Sequence, residues 1–170
     1  MATDPPTPRR PGLLRSATAT LRRWLGGRSR VPAPAPSTGY PGDFTGPLVP
    51  AYSPRPDGRP DPGEIVWTWV PFEEDHRQGK DRPVLLVGRE GPWLLALQLT
   101  SKDHDGRPMS ARGPRWVDIG SGAWDRQRRP SEVRVDRVVR VDPKAVRREG
   151  AVLPRPQFEA VARAVAERHR

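Results

Sequence analysis

"GEIVWTWVPFEEDHRQGKDRPVLLVG", residues 63–88, sets two strand patterns either side of a polar loop. In "EIVWTWV" (64–70), Ile65, Trp67 and Trp69 point one way and Val66, Thr68 and Val70 the other. Period-two alternation of β-branched and aromatic residues predicts a strand, which Pro71 ends. "PVLLVG" (83–88) is apolar on both faces and predicts a buried strand. The loop between them, 71–82, finishes in Arg82-Pro83. A guanidinium cannot be neutralised and carries five N–H donors in a fixed fork. At a stiff junction before a buried strand it is suited to hold a phosphate in a set geometry. A salt bridge to Asp81, Asp75 or Glu74 is the alternative.

Downstream, "REGP" (89–92) reads as a tight turn and "WLLALQLT" (93–100) as the hairpin partner of 83–88. "SKDHDGRPMSARGP" (101–114) is a polar loop and "RWVDIG" (115–120) a short strand. "SEVRVDRVVRVD" (131–142) alternates Val and Arg with a break near Asp136-Arg137, giving two short strands or one bent strand. Pro143 opens a helical turn, "PKAVRRE". "RPQFEAVARAVAERHR" (155–170) places Phe158, Val161, Ala162 and Val165 on one face of a closing helix. Short strands at close spacing followed by a helix predict a small, mainly β barrel with one hydrophobic core.

Upstream of Gly63 the composition differs. Of the 23 prolines, 14 fall in residues 1–62. Mean hydropathy is -0.76, and apolar residues make up 34% of the chain. Residues 1–62 are therefore expected to form a disordered, Pro-rich basic arm, with the barrel over 63–170. Within the arm, "LLRSATATLRRWL" predicts a short amphipathic helix at 12–26, with Leu13, Leu14, Ala17, Leu21, Trp24 and Leu25 on one face. Such a helix can lie on a membrane surface or in a partner's groove, or fray in water. Tyr40, Phe44 and Tyr52 are unusual in a pure linker and offer a way for it to dock.

Formal net charge is +10. The excess is shared, with 9 bases against 4 acids in 1–62 and 21 against 16 in 63–170. Phosphate-rich partners follow, nucleic acid before anionic membrane, although a high-GC genome yields the same arginine-rich composition whatever the function. Cysteine is absent, which excludes disulfides, thiolate catalysis and Cys-ligated zinc. The three histidines do not pair with acids at metal-ligand spacing. No cofactor or metal is expected. No apolar run approaches bilayer length and no signal peptide opens the chain, so a cytoplasmic protein without stable membrane insertion is the expectation.

Several residues could carry chemistry. Thr100, at the end of the strand paired with 83–88, can direct a hydroxyl at a phosphate held by Arg82. His76, in the loop approaching Arg82, can accept a proton from a 2′-hydroxyl; Glu73, Glu74 and Asp75 are alternative bases. Gln78, Lys80, Lys102 and His104 lie in the two polar loops, within reach of backbone phosphates. Among the tryptophans, Trp67 or Trp69, and Trp93, are expected in the core. Trp124, in a turn-rich stretch, is expected to be exposed and to stack on unpaired bases.

Taken together, these residues resemble the PemK/MazF toxins of type II toxin–antitoxin systems. The resemblance rests on Gly63-Glu64-Ile65-Val66, Gln78-Gly79, Arg82-Pro83 before Val84–Val87, the strand-end Thr100-Ser101, and "VDRVVRVDP" (135–143). It covers about 63–170 and implies an SH3-like barrel with a helix, often a homodimer. It also implies a metal-independent endoribonuclease, or mRNA interferase, that cuts single-stranded RNA by 2′-oxygen attack. A cognate antitoxin, with which such toxins can also sit on DNA, would hold it in check. By position, Arg82 would stabilise the phosphorane and Thr100 would hydrogen-bond the same phosphate. Many members carry Ser-Glu-Gln before the glycine. Here His76-Arg77-Gln78 stands there, with the acids shifted to 73–75. Either His76 or Asp75 has taken the base role, or activity is weak or lost. The alternative function is a non-catalytic barrel that grips nucleic acid or a topoisomerase.

Overall fold

A computed structural model describes residues 39–102 and 113–168, without the side chains of 148–150. The helix expected at 12–26, the arm as far as residue 38, and His104 lie outside the described residues. The strands are β1 (Glu64–Pro71), β2 (Gly79–Glu90), β3 (Trp93–Thr100), β4 (Trp116–Gly120), β5 (Ser131–Arg134), β6 (Val139–Val141) and β7 (Arg148–Val152). A short 3-10 helix, Pro143–Ala145, precedes β7, and α1 (Arg155–Arg168) follows it.

The strands form one seven-stranded sheet ordered β4-β5-β3-β2-β1-β7, with β6 also on β3. Every pairing is antiparallel. β3 divides its free edge: Leu94–Ala96 pair with β6, and Leu99–Thr100 with β5. The chain must bend between β5 and β6 to serve both, and it does so across Val135–Val138, where the Val/Arg alternation breaks. The result is the expected mainly β, barrel-like fold with a C-terminal helix.

Alternation along the strands builds two apolar layers. Val66, Val70, Val84, Leu86, Leu94, Ala96, Val139 and Val141 pack on one face. Ile65, Leu85, Val87, Leu95, Leu97 and Leu99 pack on the other, where α1 covers them with Phe158, Val161, Ala164 and Val165. Each of these Val, Leu, Ile and Phe side chains, fully buried, contributes about 1.5–3 kcal/mol. Pro156 suits the first turn of α1, where a missing N–H costs nothing. Among the described residues no helix is long and apolar enough to cross a membrane.

The fold corrects four expectations. First, residues 39–62 are not a free arm. Phe44 N–H donates to Val138 O at 2.8 Å, Ala51 N–H to Val87 O at 2.8 Å, and Tyr52 Oη to Leu153 O at 2.9 Å. Leu48 joins the α1-side core. The linker aromatics drive this docking: the Tyr52 and Phe158 rings meet at 5.0 Å. Gly63 sits at φ 101°, and a Cβ there would come within 2.8 Å of the Tyr52 ring.

Second, β2 starts at Gly79 rather than Pro83, so Arg82 lies inside a strand and the loop shrinks to 72–78. Register decides this: Pro71 pairs with Gly79, Trp69 with Asp81 and Thr68 with Arg82, extending the ladder through polar residues. A Cβ at position 79 would stand 2.4 Å from Val70 O and 2.5 Å from the Trp69 ring, so the strand can begin there only as glycine. Third, β7 ("REGAV") is a strand the sequence pattern did not offer; its ladder with β1 supplies the order that its residues lack.

Fourth, Trp124 is core. It is only 3% exposed, packs with Ile119 and Val133, and its indole N–H donates to Ser131 Oγ at 3.0 Å. It cannot act as a stacking platform. Trp67, Trp69 and Trp93 are instead half-buried, and the Trp67 indole N–H reaches Trp124 O at 3.2 Å. Turn-forming neighbours suggested exposure for Trp124, but the turn folds its ring inward.

Candidate functional site

Arg82 shares a sheet face with Val84 and Leu86, by alternation along β2, and faces Thr68 across β1. β2 and β3 stay paired as far as Val84–Gln98. Beyond that pair β3 passes to β5, where Thr100 pairs with Glu132, while Arg82 pairs with Thr68 of β1. Arg82 and Thr100 thus both lie past the last β2–β3 pair, at the open end of that hairpin. Thr100 Oγ1 already accepts the Lys102 N–H at 3.1 Å, which fixes the start of the next loop. Lys102 itself is exposed.

Arg82 is half-buried yet has no carboxylate or hydrogen-bond partner among the described residues. The other described arginines at comparable depth are all paired: Arg115 with Glu167, Arg134 with Asp136 and Glu73, Arg137 with Asp43, Arg140 with Glu90, and Arg147 with Asp81. Of the acids that could have claimed Arg82, Asp81 and Asp75 are engaged elsewhere, and Glu74 is exposed. Asp81 projects to the opposite face and meets Arg147. Asp75 accepts from Arg77 Nε at 3.1 Å and from Gln78 Nε2 at 3.0 Å. Burial and the neighbouring charge of Arg137 push the Arg82 guanidinium below its ordinary value. An arginine remains cationic there, so its desolvated charge is available to an incoming anion.

The loop 72–78 is tied at both ends of its arc. Phe72 N–H donates to Gln78 O at 2.8 Å, and Gln78 N–H to Asp75 O at 3.0 Å. Arg134 Nη1 reaches Glu73 at 2.9 Å from β5. The His76 ring meets the Tyr40 ring edge-on, centroids 5.0 Å apart. Hydrogen bonds from Arg77 and Gln78 bring the Asp75 carboxyl down to about 2. A carboxylate so stabilised is a poor proton acceptor at neutral pH, and Glu73 is engaged by Arg134. Lys80 is exposed, with its ammonium 5.7 Å from the Phe72 ring centroid.

Three residues at this site escaped the sequence reading: Tyr40, Asp43 and Arg137. Arg137 lies in the bend between β5 and β6, and its fork grips Asp43 through Nε at 2.7 Å and Nη2 at 3.1 Å. Tyr40 Oη donates to Asp43 Oδ1 at 2.5 Å. Burial opposes ionisation of Asp43, but the hydrogen bonds from Arg137 and Tyr40 and the charges of Arg137 and His76 outweigh it, and the carboxyl stays below its ordinary value. The only sequence signal was an aromatic residue inside a linker and the break at Asp136-Arg137. A separate cleft of about 360 Å³, lined by Pro92, Trp93, Asp142, Pro143 and Lys144, lies at the turn end of the β2–β3 hairpin, away from Arg82.

The arrangement is a cation on a strand, a hydroxyl at the end of the adjacent strand, and a polar loop bearing an imidazole. No curated protein matches the chain. A family model described as PemK-like, MazF-like toxin of type II toxin–antitoxin system matches residues 61–168. That match takes in all seven strands and the helix, and the chain belongs to the PemK/MazF family of type II toxins.

Proposed function

We propose that this protein is an endoribonuclease that cuts single-stranded RNA, and that Arg82 is its principal phosphate-binding group. The observation that carries this reading is the half-buried guanidinium of Arg82, which has no carboxylate or hydrogen-bond partner among the described residues, at the hairpin end that also carries Thr100. In the reaction the ribose 2′-oxygen forms a bond to phosphorus and the bond from phosphorus to the 5′-oxygen breaks. The products are a 2′,3′-cyclic phosphate and a 5′-hydroxyl. The nucleophile belongs to the substrate, so the protein must place donors at the developing phosphorane charge and move one proton off the 2′-hydroxyl and one onto the 5′-oxygen. Arg82 and Thr100 serve the charge. His76 is the loop group best suited to accept the first proton, since Asp75 and Glu73 are held by cations. Gln78, Lys80 and Lys102 line the path of the strand.

The reading includes a homodimer and an antitoxin whose acidic segment neutralises the basic face. The test is Arg82→Ala with single-stranded RNA in chelator-containing buffer. Cleavage should vanish while circular dichroism stays as in the wild type, and wild-type products should end in cyclic phosphate. Full activity in the variant rejects the role. A second reading, a barrel that binds nucleic acid without cutting it, draws support from the engaged loop carboxylates. RNA bound but recovered intact would favour it.

A further inference from the structure

Asp43 is bound the way an anion is bound. Its Oδ2 accepts from Arg137 Nε at 2.7 Å, and its Oδ1 accepts from Arg137 Nη2 at 3.1 Å and from Tyr40 Oη at 2.5 Å. A guanidinium fork plus a hydroxyl is also a fitting cradle for a phosphodiester. Arg137 is 7% exposed, and it holds the bend beside β3 on the side away from β2. Arg82 stands on β2, so the two cations flank the end of β3. The segment that carries Asp43 is also held to this rim by Arg140, whose backbone N–H donates to Tyr40 Oη at 3.4 Å and whose guanidinium lies over the Phe44 ring. Phe44 makes an isolated bridge to Val138, Arg140 Nη1 donates to Gly42 O and Asp43 O at 2.9 Å, and the Tyr40 ring rests on His76.

We propose that Arg137 forms a second phosphate subsite beside Arg82, and that residues 40–43 are a strap whose Asp43 carboxylate fills this subsite until an RNA phosphate displaces it. The proposal rests on the reading of Arg82 as the phosphate group of an RNA-binding site. It adds that the free protein is partly closed against its own substrate. If the strap is shut nine-tenths of the time, apparent affinity is about tenfold below that of an open site. Displacement also carries the Tyr40 ring off His76, so that occupation of the second subsite frees the loop.

The experiment measures binding of a mixed-sequence 2′-fluoro oligoribonucleotide, which lacks the nucleophile, by fluorescence anisotropy. Asp43→Asn should bind about tenfold tighter than the wild-type chain. Tyr40→Phe, which changes no charge and keeps the ring on His76, should bind two- to threefold tighter, roughly, because the latch loses one donor. Glu159→Gln removes an exposed charge from α1 and sets the gain due to net charge alone. If Asp43→Asn gains no more than Glu159→Gln and Tyr40→Phe gains nothing, the ion pair is a fixed fastening and the strap is refuted. If Asp43→Asn does not fold, Tyr40→Phe alone decides. Arg82→Ala separates the two levels: its weaker binding, with no gain from the strap variants, leaves the proposed function standing without the strap. Unchanged binding in Arg82→Ala removes the proposed function itself.

Discussion

Arg82 and Arg134 sit at similar depth on neighbouring parts of one sheet, and burial depresses both guanidinium groups. Arg134 recovers the loss. Asp136 accepts from its Nη2 at 2.7 Å and Glu73 from its Nη1 at 2.9 Å, and the group ends above its ordinary value. Arg82 has no such compensation and ends below. One arginine is spent on structure, joining β5 to the loop 72–78. The other keeps its partial desolvation uncompensated by any carboxylate among the described residues. The proposed phosphate-binding role gives that cost a reason.

The largest effect should come from breaking the costly side of this pair. Arg82→Ala should cut RNA cleavage by roughly 10²–10³-fold, as loss of a preorganised donor does. Its unfolding free energy in urea should be unchanged or higher, since no partner is orphaned. A large stability loss would mean that Arg82 is structural after all. Arg134→Met should behave oppositely. It leaves the Asp136 carboxylate part-buried without its cation and should cost about 2 kcal/mol in the same titration. Cleavage should fall only as far as the loop loosens.

A subtler contrast appears in acid. The Asp43 and Asp136 carboxyls lie below their ordinary 3.8 in the folded protein, in each case because hydrogen bonds from arginine outweigh burial. They bind fewer protons folded than unfolded. The stability they add is complete above about pH 4 and is lost as pH falls through their folded values. Unfolding midpoints measured from pH 6 to pH 2 should show this drop. Asp136→Asn should flatten it, whereas Arg82→Ala should leave its slope intact. The smallest effect is expected at Asp75, which is held by Arg77 and Gln78 and is a weak base. Asp75→Asn should keep cleavage within about twofold of the wild type, against the roughly 10²–10⁴-fold that a general base supplies. His76→Ala should lose about 100-fold. The reverse ranking would return the base role to the carboxylate.

Much of the barrel was legible because β1, the apolar half of β2, β3 and α1 bury whole faces, and burial stamps its period on a sequence. β7 and the start of β2 were not. "REGAV" and "GKDR" have no apolar period, and they are strands because β1 lies beside them. Residues 39–62 misled for the opposite reason. Pro and Gly marked them as linker, yet three aromatic residues and Leu48 anchor them to the barrel. Trp124 was placed by its turn-forming neighbours, whereas its ring joins the core cluster that holds Ile119 and Val133.

The sequence alone determined the strand alternation, the closing helix, the basic character and the Gln-Gly and Arg-Pro landmarks of the family, because each is a local or compositional property. Only the tertiary structure decided that Arg82 has no partner among the described residues while Arg134, Arg137 and Arg147 do, and that Asp43 occupies the neighbouring cation. The pairs Arg137–Asp43 and Arg147–Asp81 join residues far apart in the chain that meet only after folding. No spacing in a linear sequence encodes such long-range partners.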